Sequence, residues 1–89
     1  MTYSILLHQR VAKQLEKMDA GFRNRIKSAL KELVESPESK GEHLRPSDYW
    51  KMRIGDYRAI YQIERSKKLV VVVFVGHRRK VYDDFERML

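Results

Sequence analysis

The chain has 89 residues, no cysteine and a formal net charge of +7. That length fits a single domain over residues 1–89 with a core of modest size, and the lack of cysteine excludes disulfides and thiolate chemistry. The longest apolar run, Leu69 to Val75, is too short to cross a bilayer, and no charged-then-apolar leader opens the chain, so a soluble cytoplasmic protein is expected.

In chain order, Thr2 to Leu7 alternates, with Tyr3, Ile5 and Leu7 on one side, which predicts a first strand. From about Gln9 the period lengthens, and Val11, Leu15 and Met18 form the apolar stripe of a short helix. Asp19 is placed to cap a second helix, marked by Phe22, Ile26, Leu30, Leu33 and Val34 and ended before Ser36-Pro37. Glu38 to Pro46 is polar and reads as a loop. Tyr49 to Ile54 then alternates, with Trp50, Met52 and Ile54 on one face and Tyr49, Lys51 and Arg53 on the other. Gly55-Asp56 supplies a turn into a strand from Tyr57 to Ile63, and Leu69 to Val75, apolar on both faces, reads as a central strand. Val81, Phe85 and Met88 return to helical spacing, which suggests a short C-terminal helix or tail. The expected fold is α+β: a strand, a two-helix hairpin, then a three-strand antiparallel meander in one sheet with the helices on one face.

The charge is not spread evenly. Residues 45–80 carry ten basic side chains against the three acids Asp48, Asp56 and Glu64, while the rest of the chain carries nine of each sign. The whole excess therefore sits in the strand region, as expected of a surface that binds polyanions. Lys51, Arg53 and Arg58 can converge there with His77, Arg78, Arg79 and Lys80, and Tyr82 follows. Tyr57 and Tyr61 are candidates for packing beside these cations or for stacking on a base. This inventory lacks a carboxylate pair, a metal-ligand cluster and a glycine-rich phosphate loop, so neither a metal nor a cofactor is expected. Arginines with Lys, His and Tyr suit metal-independent RNA cleavage, in which a 2′-hydroxyl attacks its neighbouring phosphate while cations stabilise the added charge. A sheet that merely binds RNA or DNA would carry much the same residues.

The run from Trp50 to Ile63, Trp-Lys-Met-Arg-Ile-Gly-Asp-Tyr-Arg-Ala-Ile-Tyr-Gln-Ile, followed by Val-Gly-His-Arg-Arg-Lys-Val-Tyr ending at Tyr82, resembles the RelE/ParE toxin superfamily. The upstream strand and helix pair match that layout too, so the resemblance covers essentially the whole chain. Its RelE-like branch implies the toxin of a type II toxin–antitoxin pair, an mRNA interferase that cuts messenger RNA in the ribosomal A site. By position, Lys51 and Arg53 fall where that branch has two lysines used in proton transfer and charge stabilisation. Arg58 falls on a phosphate-binding arginine, Arg78 on one that stabilises the transition state or leaving group, and Tyr82 on the tyrosine that orients or deprotonates the attacking hydroxyl. Arg45, Arg79, Lys80 and His77 join as RNA- or phosphate-binding candidates. Two departures stand out: Arg53 replaces a lysine and cannot act as a base near neutral pH, and the link from Arg78 to Tyr82 is shorter than in the branch. The implied partners are the ribosome with its mRNA and a small antitoxin, acidic or amphipathic, that wraps the helices or covers the cationic face in a hetero-oligomer. A ParE-like gyrase poison, or an inactive member that only binds antitoxin, are the alternatives.

Overall fold

The computed structural model describes residues 3–77, so the expected C-terminal helix or tail, with Arg78, Arg79, Lys80 and Tyr82, lies outside the described residues. Strand β1 spans Ser4–Leu7, helix α1 Gln9–Lys17 and helix α2 Ala20–Leu33. Strands β2, Glu42–His43, β3, Tyr49–Ile54, β4, Tyr57–Glu64, and β5, Leu69–His77, follow. The strand order is β1-β5-β4-β3-β2. The three long strands form the expected antiparallel meander, and β1 lies parallel to β5 with Ser4 opposite Leu69.

Local chemistry sets the helix bounds. The Asp19 carboxylate accepts the Phe22 N–H at 3.1 Å, which satisfies one of the orphan donors at the start of α2. One turn of chain thus separates two helices whose apolar sides share a core. Val11, Leu15, Ile26, Leu30 and Leu33 pack on Met52, Ile54, Ala59, Tyr61, Val70, Val72 and Val75. Trp50 joins that cluster, so β3 presents the apolar face that its alternation predicts. A smaller cluster of Ile60, Val73 and Phe74 forms on the other face, with Leu44, Tyr49 and Val71 packed against it.

Two expectations are corrected here. The segment Glu38 to Pro46 is not all loop: Glu42 and His43 pair with Lys51 and Trp50 as the edge strand β2. The His43 ring stacks on Trp50 with centroids 4.9 Å apart, which holds this two-residue strand in place. The two tyrosines, for their part, do not stand beside the cations. Tyr57 packs on Phe22 of α2, ring centroids 4.9 Å apart, and Tyr61 is fully buried among the helices.

The β4–β5 register shifts at Ile60 and Tyr61, which pair with Phe74 and Val72. Val73 is the extra residue of a β-bulge. Val73 and Phe74 consequently share the face away from the helices, and the alternation resumes inverted. Gly76 then lies opposite Arg58, and His77 opposite Tyr57.

Burial of Tyr61 leads to a stability prediction. Its hydroxyl donates to the Pro37 carbonyl at 2.6 Å, and burial raises its pKa above the ordinary phenol value. Tyr61→Phe leaves that carbonyl without its donor and should destabilise the fold by about 1–2 kcal/mol in urea unfolding at pH 7. Because the folded-state pKa is raised, the phenol's contribution is complete below the unfolded-state value of about 10 and is lost as pH rises above it. Wild-type stability should therefore fall above about pH 10 more steeply than that of Tyr61→Phe, which is checked by melts across alkaline pH.

Candidate functional site

The β3–β4 hairpin positions the cations. Gly55 adopts a positive φ of 61°, which closes the turn so that Arg53 and Arg58 become direct cross-strand partners. Lys51 is one step further along the same face, opposite Ile60. Two arginines directly opposite each other repel, and a sheet has no structural need for that pairing. Each instead spends a hydrogen bond on the hairpin backbone: Arg53 Nε donates to the Gly55 carbonyl and Arg58 Nη1 to the Tyr57 carbonyl, both at 3.2 Å. Among the described residues neither arginine makes an ion pair, and Asp56 and Glu64, the acids at either end of β4, are not engaged by Arg58. The arrangement is one that an anion between the two guanidiniums would stabilise.

Lys40, Gly41, Glu42, Lys51, Met52, Arg53 and Arg58 line an open cleft of about 410 Å³. Its one carboxylate belongs to Glu42, whose Oε2 lies 3.5 Å from Lys51 Nζ. The Glu42 side chain is 74% exposed, so this pair is weak and a phosphate can displace it. Gly41 allows β2 to come this close, because a Cβ there would run into the Tyr61 hydroxyl and the Lys51 carbonyl. The cleft floor is therefore fixed to the buried Tyr61, which in turn bonds to Pro37.

The remaining candidates are placed elsewhere. Arg45 is exposed in the β2–β3 connection and lines a separate depression of about 630 Å³ around Trp50, Gln62 and Leu69. Charge of both signs meets there, with Glu38, Asp48 and Glu64 beside Arg45, Arg65 and Lys67, and Arg65 Nε lies 3.2 Å from Glu38. His77 falls on the helix side, its ring edge-on to Tyr57 at 6.0 Å, and does not join Lys51, Arg53 and Arg58. Arg78, Arg79, Lys80 and Tyr82 lie outside the described residues. Glu42 and Gly41 are the site residues that sequence reading missed. A two-residue strand has no alternation to detect, and the one signal was a glycine just before an acid in an otherwise polar stretch.

Comparison with known proteins agrees with this layout. The family described as ParE toxin of type II toxin-antitoxin system, parDE, matches residues 5–82. The mRNA interferase toxin RelE of Escherichia coli is 34% identical over 83 residues, covering 90% of this chain and 87% of that protein. Among solved structures, a free E. coli RelE toxin carrying two arginine-to-alanine substitutions superposes with a TM-score of 0.79 at 29% identity, covering all of both chains. The intact E. coli RelBE toxin–antitoxin complex matches with a TM-score of 0.72 at 31% identity, over 84% of this chain and 95% of that one. The RelBE2 complex of Mycobacterium tuberculosis gives 0.80 at 25% identity, over 88% of this chain and all of that one. With a family match across most of its length and a RelE relative aligned over nine-tenths of it, the chain belongs to the RelE/ParE superfamily of type II toxins.

Proposed function

We propose that this toxin is a RelE-like endoribonuclease that cuts mRNA in the ribosomal A site, in the cytoplasm, and is silenced by a cognate antitoxin in a hetero-oligomer. The observation that carries the reading is the Arg53–Arg58 cross-strand pair beside Lys51 in one cleft, without a carboxylate partner for either arginine among the described residues. Similarity to the mRNA interferase RelE and to RelBE complexes supports the activity and the partner. No helix among the described residues is long and apolar enough to cross a membrane, which is compatible with a site on the ribosome.

The chemistry is a transesterification. The 2′-oxygen attacks the adjacent phosphorus while the bond from phosphorus to the 5′-oxygen breaks, leaving a 2′,3′-cyclic phosphate and a 5′-hydroxyl. Arg58 binds the scissile phosphate and Arg53 anchors it from the opposite strand; their donors match the charge that builds on the phosphorane oxygens. Lys51 takes part in proton transfer at the same phosphate. Arg78 stabilises the leaving group and Tyr82 orients the attacking hydroxyl; both roles rest on correspondence with the family.

Primer extension on transcripts from cells expressing the toxin without antitoxin tests this reading. Wild type should produce in-frame cuts that vanish in Arg78→Ala, with matching circular dichroism for the two proteins. Growth arrest with intact transcripts and double-strand DNA breaks would overturn it in favour of a gyrase poison.

A further inference from the structure

Arg10 lies in the first turn of α1, and its guanidinium reaches across to the sheet. Its Cζ lies 4.5 Å above the ring of Phe74 on β5. The β-bulge turns Phe74 to the face away from the core helices, where its register partner is Ile60. Ile60 in turn pairs with Lys51. Lys51, Ile60, Phe74 and Arg10 thus form one continuous row across the sheet: a cation at each end and two apolar side chains between. At a strand spacing of roughly 4.8 Å, Lys51 and Phe74 stand on the order of 10 Å apart. That is too far for one phosphate to bridge and suits neighbouring nucleotides.

Arg10 is also held in place. Its backbone N–H and its Nε donate to His8 Nδ1 at 3.2 and 3.1 Å, and Nη2 lies 3.4 Å from His8 Nε2. One face of the guanidinium rests on Phe74, one edge is turned to His8, and among the described residues Nη1 has no hydrogen-bond partner. A fork fixed in this way loses less freedom on meeting a phosphate than a free surface arginine does.

We infer that Arg10 is a second phosphate anchor, which grips the RNA backbone at a nucleotide flanking the scissile one and so sets the direction of the strand across the β5 side of the sheet. The inference rests on the RNA-cleaving reading above, but it concerns a residue that takes no part in the chemistry. His8 and Phe74 are positioning residues for it.

The test is equilibrium binding of the purified toxin to a fluorescein-labelled, fully 2′-O-methylated RNA dodecamer of mixed sequence, which cannot be cleaved because the attacking hydroxyl is blocked. Fluorescence anisotropy is followed through a salt series. Arg10→Ala should bind about five- to tenfold more weakly at 0.1 M salt and should lower the slope of log K against log salt by about 0.7, as expected for one lost phosphate contact on a single strand. Arg10→Lys should keep the slope. Should Arg10→Ala lower the melting temperature, Arg10→Gln, which keeps an unbranched polar side chain without the charge, gives the same reading on a folded protein. If wild type binds RNA and the folded variant matches it in affinity and slope, the Arg10 assignment is overturned and the cleavage reading stands. If antitoxin affinity falls while RNA binding holds, Arg10 belongs to a protein interface, and the assignment is again overturned. If wild type itself shows no RNA binding, the Arg10 assignment is overturned, because it requires contact with the RNA itself, while cleavage on the ribosome is judged separately by primer extension.

Discussion

Arg58→Ala should lower the single-turnover rate of mRNA cleavage on programmed ribosomes by about 10²–10³-fold, the usual loss when one preorganised donor to a developing oxyanion is removed. Arg58 is half-buried, stands directly across from Arg53, and is held by the Tyr57 carbonyl at 3.2 Å. In the proposed role it is in place before charge builds on the phosphorane, so the loss should fall on the rate at saturation more than on binding. The fold should tolerate the change. Arg58 belongs to neither apolar cluster and makes no ion pair among the described residues, and its removal relieves a like-charge pair. Melting temperature should therefore stay level or rise slightly. A variant that retains near-wild-type cleavage would remove Arg58 from the reacting phosphate.

Lys51 is expected to behave differently from the arginines. Lys51→Ala should reduce the rate by about 10²–10⁴-fold, the range for loss of a positioned proton-transfer group. Lys51→Arg separates the two roles that a lysine can have. It keeps the charge but cannot transfer a proton near neutral pH, so it should recover substrate binding and leave the rate low. Full recovery of rate in Lys51→Arg would move proton transfer to another group. The pairing with Glu42 is a control within the same cleft. Glu42 is exposed and 3.5 Å from Lys51, so Glu42→Gln should change the rate by no more than about fivefold, the ceiling for a surface pair worth about 1 kcal/mol.

Much of this was open to reading from residue order, for reasons that can be named. Alternation in β3 separates Trp50, Met52 and Ile54 from Lys51 and Arg53, and the two apolar clusters fall as that arithmetic requires. Asp19 sits where a short polar side chain can cap α2, and it does. The same arithmetic applied to β4 groups Tyr57, Ala59 and Tyr61 on one face, opposite Arg58, so treating the tyrosines as stacking partners went against the pattern. Three features were hidden by physical circumstance. Strand β2 is two residues long and has no period. The bulge at Val73 sits in an unbroken apolar run, where moving one residue between faces leaves no trace in composition. Arg10 looks like any helix-surface arginine until β5 is turned by that bulge and brings Phe74 beneath it.

These hidden features matter for the site. The edge strand β2 brings Glu42 to Lys51 and, through Gly41, ties the cleft to the buried Tyr61. The bulge decides which β5 side chains share a face with Arg58: Phe74 does, and His77 does not. A helical core on one face thus leaves the other free to gather like charges that the fold itself does not require.

If the cationic face promotes attack by the RNA's own 2′-hydroxyl, cleavage depends on that hydroxyl, and the decisive substitution is in the substrate. An mRNA is loaded on ribosomes with a single 2′-deoxynucleotide immediately 5′ of the scissile phosphate, beside its all-ribose counterpart, and purified toxin is added to both. The ribose message should be cut to a 2′,3′-cyclic phosphate and a 5′-hydroxyl, while the deoxy message stays intact. Cleavage of the deoxy message at the same bond, or fragments of the ribose message that carry a 5′-phosphate, would contradict it.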